Sequence, residues 1–361
     1  MKVSVLASAQ DSITAKGVEE SATSVVPKGS ILVVARSGIL AHTFPVARAG
    51  CPVAFNQDIK AIQVASDKVS SEYVYWFLRG KEPEVLSRGV KKGATVHSLQ
   101  SGFLERLAIP LAPIDEQRRI VDLLSRAENI VRMRREAEAK AKEIIPALFL
   151  DMFGDPARNE RGWDTVRLGD LAVRMSDGPF GSNLKSSHYV ESGVRVIRLQ
   201  NIGIRDFLDS DEAFVSHKHF ATLRKHRCTP GDVLIGALGD PNLRATILPD
   251  TIPEALNKAD CVQFRCDRTK VMPEYACWLL NIPSSLSMAA QLVQGITRTR
   301  ISMGRLRELR VPVPPIALQM SFEKSVQRFH ELQNLQRAGT TVAFTAFQSL
   351  LAGEFGKDAR A

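Results

Sequence analysis

The sequence predicts an α+β protein of two mixed α/β modules separated by two long antiparallel helices that pack as a coiled coil. Three observations carry this. The chain repeats itself at an offset of 202 residues, without a gap, from about residue 27 to residue 154. Each copy opens with short apolar runs behind Pro/Gly turns, the mark of buried strands. Each copy then ends in a stretch of about 37 residues with heptad-like spacing of apolar positions.

The register of the repeat holds over many residues. Gly29 falls on Gly231, Leu32 on Leu234, Ala35 on Ala237, Asp58 on Asp260 and Trp76 on Trp278. Gly93 and Thr95 meet Gly295 and Thr297, Gln117 meets Gln319, and Phe153 meets Phe355. A period this long is two copies of one module, not a solenoid unit.

Within each copy the elements follow in order. Residues 30–35 (SILVVA) and 232–237 (DVLIGA) read as buried strands. Residues 72–79 and 274–281 read as helices with the tryptophan on the inner face, and the Pro-bounded runs 107–113 and 309–315 read as strands. From Gln117 to Phe153 there is no Gly and one Pro, Pro146, which predicts one long helix. Ile120, Leu124, Ala127 and Val131 form its seam, and Glu128 with Arg132 and Glu136 with Lys140 form i,i+4 charge pairs. The second copy, 319–355, offers Phe322, Val326, Phe329 and Leu332, then Val342, Ala346 and Leu350, with Gly339 expected to interrupt the helix. Each helix is poor in apolar residues for its length, so the pair is expected to pack together, antiparallel because a globular module lies between them. At ~1.5 Å per residue each spans roughly 55 Å, long enough to act as a rigid spacer.

Composition narrows the function. The chain has 361 residues and a net charge of +9, which favours a polyanionic partner, while only 6% aromatic residues argue against single-strand binding by base stacking. Cys51, Cys228, Cys261, Cys266 and Cys277 are odd in number and have no paired spacing, as expected of reduced thiols in a cytoplasmic protein. No signal peptide or long apolar run points to export or membrane. There is no Walker-type loop and no Asn/Asp-Pro-Pro-aromatic motif, and residues 236–239 (GALG) are too short for a dinucleotide fingerprint. His217, His219, His226 and Cys228 are zinc-ligand types, but the matching stretch of the first copy, 15–26, has no His or Cys. No catalytic residues, metal or cofactor are therefore assigned.

At this point a resemblance appears. Residues 109–124 (IPLAPIDEQRRIVDLL) resemble the start, and 148–156 (LFLDMFGDP) the end, of the central conserved region of specificity (S) subunits of type I restriction–modification enzymes. Residues 163–171 (WDTVRLGDL), 177–185 (DGPFGSNLK), 193–202 (GVRVIRLQNI) and 230–235 (PGDVLI) resemble segments of a target recognition domain. The resemblance implies two recognition domains reading a split double-stranded DNA site, and helical regions that bind methyltransferase (M) subunits, with two M subunits per S. It also admits restriction (R) subunits, and it implies no catalytic activity for the S subunit itself. The domains are then expected at 1–108, 109–156, 157–310 and 311–361. Counterparts of residues 163–185 are missing from the first copy, so its recognition domain is expected to be shortened, with residues 1–6 matched to the strand at 194–199. The other reading is an S-like scaffold that binds methyltransferase subunits but reads one half-site or no DNA.

Candidate DNA contacts are loop residues with suitable donors, since Arg, Lys, Asn and Gln reach base edges while Ser, Thr and Lys hold phosphates. In the second copy these are Ser182, Asn183, Lys185, Ser186, Gln200, Asn201, Arg244, Thr297, Arg298, Thr299, Arg300 and Ser302. In the first they are Arg36, Lys91, Lys92, Thr95, His97 and Ser98. Subunit-interface candidates are Ile120, Leu123, Leu124, Ala127, Ile130, Val131, Phe322, Val326, Phe329 and Leu332.

Overall fold

The computed structural model describes residues 3–9, 11–21, 23–239, 243–290, 292 and 300–356. The chain divides into two compact units, residues 1–138 with 335–361, and residues 139–334. Each unit takes the start of one long helix and the end of the other.

The repeat is visible in the sheets. In the first unit Ile31–Val34 lies between Val46–Ala49 and Ile59–Ile62, both antiparallel to it. In the second unit Val233–Gly236 lies between Ala245–Ile247 and Cys261–Cys266 in the same way. The fourth strand of each sheet differs. Ala172–Ser176 pairs with Cys261–Cys266 in the second unit, whereas Val5–Leu6 pairs in parallel with Val46–Ala49, at the opposite edge, in the first. The expected match of residues 1–6 to 194–199 is thereby corrected: Val194–Ile197 pairs with Ala255–Asn257, and the equivalent Val53–Phe55 pairs only with Ser24–Val26 among the described strands. A two-residue apolar strand carries no register information of its own, so an open edge decides where it goes.

The helices Ser71–Gly80 and Pro273–Asn281 form as expected, with Trp76 and Trp278 buried. Ser70 caps the first by accepting from Tyr73 N at 3.1 Å, while Pro273 opens the second, where its missing N–H costs nothing. The Pro-bounded run before the distal helix is a strand, Arg310–Pro312 against Thr165–Arg167. Its counterpart at 107–113 is not a strand, because a strand needs a partner and no described segment pairs with it.

The first long helix is broken. It runs Ile114–Ala141 and resumes at Ile144–Phe153. Pro146 has no N–H, and its ring clashes with the carbonyl of residue 142, so the chain tightens there and Glu143 N bonds to Lys140 O at 3.1 Å. The distal helix is continuous over Ile316–Phe355, and Gly339 does not interrupt it. A Cβ at Gly339 would lie 2.7 Å from Arg134 Nη1, so the glycine gives the guanidinium room, at roughly 1 kcal/mol of helix propensity.

The helices pack antiparallel within the first unit: Arg119 pairs with Glu354, and Arg135 lies over the Phe344 ring. Ile120, Leu124 and Val131 share a core there with Phe347, Leu351 and Phe355. In the second unit Ile145, Phe149 and Phe153 share a core with Phe322 and Val326. The local pair expected between Glu128 and Arg132 does not form. Glu128 pairs instead with Arg79, whose guanidinium also lies 5.0 Å from the Trp76 ring, and Arg132 turns to Glu136. A largely desolvated cation holds its partner more strongly than a solvated helix neighbour does.

Candidate nucleic-acid interface

Small antiparallel pairings bring the first unit's candidates together. Arg36–Ser37, His97–Leu99 and Val90–Lys91 form a three-stranded sheet with His97–Leu99 in the middle. Arg36 and Lys91 are each the direct partner of Ser98, so the three side chains stand in a row on one face. Leu99 is buried on the other face, which fixes which side meets solvent. Lys92 and Thr95 are exposed in the adjoining loop, and His97 Nδ1 closes that loop by accepting from Gly93 N at 3.1 Å.

The second unit uses the same frame. Leu238 bridges Arg300 in antiparallel fashion, the pair that falls 202 residues after Arg36 and Ser98. Backbone bonds beside the pair recur: Leu99 N to Ala35 O at 2.7 Å, and Ile301 N to Ala237 O at 2.9 Å. Likewise Ala35 N donates to Asp58 O at 2.7 Å and Ala237 N to Asp260 O at 2.8 Å. Asp260 adopts a left-handed backbone, φ 65°, which an aspartate tolerates better than most residues. Its Oδ1 lies 2.6 Å from Arg300 Nε, and the Arg300 guanidinium carbon lies 5.1 Å from the centre of the exposed Phe180 ring.

Phe180 belongs to the Gly-rich loop, so this contact brings Arg300 to the segment holding Ser182, Asn183, Lys185 and Ser186, all exposed. That loop is held from behind: His188 Nδ1 accepts from Lys185 N at 3.2 Å, and His219 Nε2 lies 3.0 Å from Asn183 O. Gln200 is exposed. Ser302 is spent in part as the N-cap of Met303–Glu308. Thr297, Arg298 and Thr299 lie outside the described residues.

Two candidates are corrected. Asn201 is fully buried; its Oδ1 accepts from Arg198 N at 2.9 Å and its amide donates to Leu208 O and Asp211 O. It shapes its own loop and does not reach a ligand. Arg244 donates to Ile202 O at 2.7 Å and to Leu199 O at 3.2 Å, so its donors serve internal carbonyls. Sequence reasoning missed Asp260 and Phe180. The repeated aspartate at 58 and 260 and an aromatic in a Gly-rich loop were the available signals.

No three His, Cys, Asp or Glu side chains converge as metal ligands among the described residues. His226 Nδ1 lies 2.6 Å from Asp177 O, and burial lowers its pKa. Burial pushes the Cys261 and Cys266 thiols up to about 12, which makes them poor nucleophiles. No described helix is long and apolar enough to cross a membrane.

Of the interface candidates, Ile120, Leu124, Val131, Phe322 and Val326 are buried inside their units, and Leu123, Ala127 and Phe329 are half-buried. Ile130 and Leu332 are exposed, as is Val342, expected on the seam, and so are Met133 and Leu335, which the sequence does not single out.

Residues 2–142 match the family model described as the type I restriction modification DNA specificity domain. The chain is 32% identical over 141 residues to the EcoR124I/EcoR124II specificity subunit of Escherichia coli, covering 38% of this chain and 35% of that protein. It is 22% identical over 281 residues to the MjaVIII specificity subunit of Methanocaldococcus jannaschii, covering 73% of this chain and 64% of that one. The chain thus spans from about a third to just under two thirds of the length of these curated relatives. Among solved structures, a chain from a type I restriction–modification system gives a TM-score of 0.63 at 18% identity, over 92% of this chain and 82% of that one. The specificity subunit of Thermoanaerobacter tengcongensis gives 0.50 at 17% identity, over 92% and 81%. Residues 2–142 are thus similar to type I restriction modification DNA specificity domains, and over 92% of its length the chain shares the fold of a chain from a type I restriction–modification system.

Proposed function

We propose that this chain is the non-catalytic DNA-recognition subunit of a type I restriction–modification complex, binding a bipartite double-stranded site. The observation that carries this reading is the basic row Arg36–Ser98–Lys91, displayed on a small sheet within the segment that matches the specificity domain. Donors of this kind suit phosphates and base edges, and the surplus of nine positive charges adds counterion-release affinity. The recognition domains are taken as residues 1–108 and 157–310, and the helical regions as 109–156 and 311–361. The remaining exposed candidates line the DNA, and the complex works in the cytoplasm.

The helices dock the methyltransferase subunits, two per chain, and the assembly admits restriction subunits. Exposed Ile130, Met133, Leu335 and Val342 support the docking role, because solvated helices seldom carry so many large apolar side chains. Leu335→Asp should abolish co-purification of the methyltransferase subunit while leaving the unfolding midpoint unchanged. Retained co-purification would count against docking at this position.

The test of DNA recognition is competition binding of the complex on duplex DNA across a salt series. The logarithm of the affinity should fall linearly with log[salt], with a slope of about −0.9 per phosphate contact, and one competitor sequence should outcompete all others. Equal displacement by every duplex would contradict specific recognition.

A further inference from the structure

We propose that the cross-strand pair 36/98 in the first unit and 238/300 in the second is the guanine-reading position of each module, with Arg36 and Arg300 as the reading residues. This rests on the DNA-recognition reading above. The two pairs are the same position of the repeat, each an antiparallel pair held by the same neighbouring backbone bonds. Each holds one arginine, but on opposite strands: Arg36 faces Ser98, and Leu238 faces Arg300. The modules have therefore kept a guanidinium at this place while exchanging the strand that supplies it.

The surroundings leave both guanidinium groups available. The Arg36 side chain is exposed and has no hydrogen bond or ion pair among the described residues. Arg300 is 42% exposed and meets Asp260 through Nε, so neither Nη has a polar partner among the described residues. A planar pair of N–H donors matches guanine, whose major-groove edge offers two adjacent acceptors, O6 and N7. Adenine replaces one acceptor with a donor, cytosine offers a donor, and thymine offers one acceptor beside a methyl group.

The two arginines differ in preparation. Asp260 and the Phe180 ring hold Arg300 from two sides, so less side-chain freedom is lost on binding. Among the described residues Arg36 has no such brace, although Lys91, on the other side of Ser98, is placed to take a flanking phosphate. Discrimination at the second half-site should therefore be the stricter. Asp260 acts here as a positioning residue.

The experiment is selection from a library of random duplexes by the full chain in its methyltransferase complex, followed by competition with single-base substitutions of the enriched sequence. The wild type should enrich a guanine in each of two blocks. Arg300→Ala should relax one guanine and Arg36→Ala the other, each losing about 5- to 150-fold of discrimination at that base alone. Arg300→Lys should not restore it, since a point charge lacks the paired donors. Asp260→Asn should weaken preference at the Arg300 guanine and nowhere else, which a general loss of folding would not do. Unchanged preference in both alanine variants would overturn the inference and leave DNA recognition standing. So would a loss uniform across sequences with the salt slope reduced by about one, the sign of a phosphate contact. A wild-type complex that enriches nothing would overturn both readings.

Discussion

The ring of Tyr73 meets the ring of Phe355 edge-on, with centroids 5.3 Å apart, and 202 residues later Tyr275 meets Phe153 in the same way at 4.8 Å. Tyr73 and Phe153 belong to the first repeat, Tyr275 and Phe355 to the second. Each unit is therefore closed by the last turns of the other repeat's helix. The offset repeat in the sequence and the exchange of helix ends in the structure are one relationship, and it explains why neither repeat alone makes up a unit.

That closure is tight at Gly80. A Cβ there would lie 2.6 Å from Phe355 Cβ, in a position where both belong to helices. Gly80→Ala should destabilise the protein by about 1–3 kcal/mol through overpacking, against the roughly 1 kcal/mol that alanine gains in a helix. Urea unfolding measures the balance. A raised midpoint would mean that the helix end is not seated on Gly80.

A second repeated device is a buried glutamine at the start of each long helix. Gln117 accepts from Ser70 N at 3.1 Å and donates to Lys68 O and Ala112 O, both at 2.8 Å. Gln319 accepts from Met272 N at 2.8 Å and donates to Lys270 O at 3.2 Å and Pro314 O at 2.8 Å. Gln319→Leu keeps the volume but strands these backbone groups, so it should cost about 3 kcal/mol in unfolding free energy. A midpoint equal to the wild type would show that water replaces the amide.

Much of this was legible before the structure. The strands around residues 33 and 235 and the tryptophan helices follow from apolar runs and turn residues, which are local signals. The break before Pro146, the unpaired run at 107–113 and the partner of Glu128 were not legible, because each depends on what lies across the fold. The site divides in the same way. Repeat register matches residue 36 to 238 and residue 98 to 300, but sequence does not show that 36 and 98 face each other. Asn201 and Arg244 carried the right donors and were misplaced, because local carbonyls had already taken them.

Acidity offers a separate check. Burial raises the Glu274 pKa to about 7, and nearby Glu323 pushes in the same direction against the Trp278 N–H bond at 2.9 Å. Its equivalent Glu72 instead meets Arg48, and position 250, the counterpart of Arg48, is an aspartate. The Glu274 carboxyl binds its proton more tightly folded than unfolded. Its contribution is therefore complete below the ordinary value of 4.5 and is lost as pH rises through about 7. Glu274→Gln should match the wild type near pH 4 and exceed it at pH 8 by up to about 3 kcal/mol. Equal stability of the two proteins at pH 8 would refute the assignment.

The central claim is that two equivalent modules in one chain each read part of one DNA site. Hydroxyl-radical footprinting of the complex on its enriched duplex tests it most directly. Two protected blocks separated by an unprotected gap are expected, with Arg36→Ala weakening protection in one block and Arg300→Ala in the other. A single continuous block, or the same block weakened by both substitutions, would contradict it.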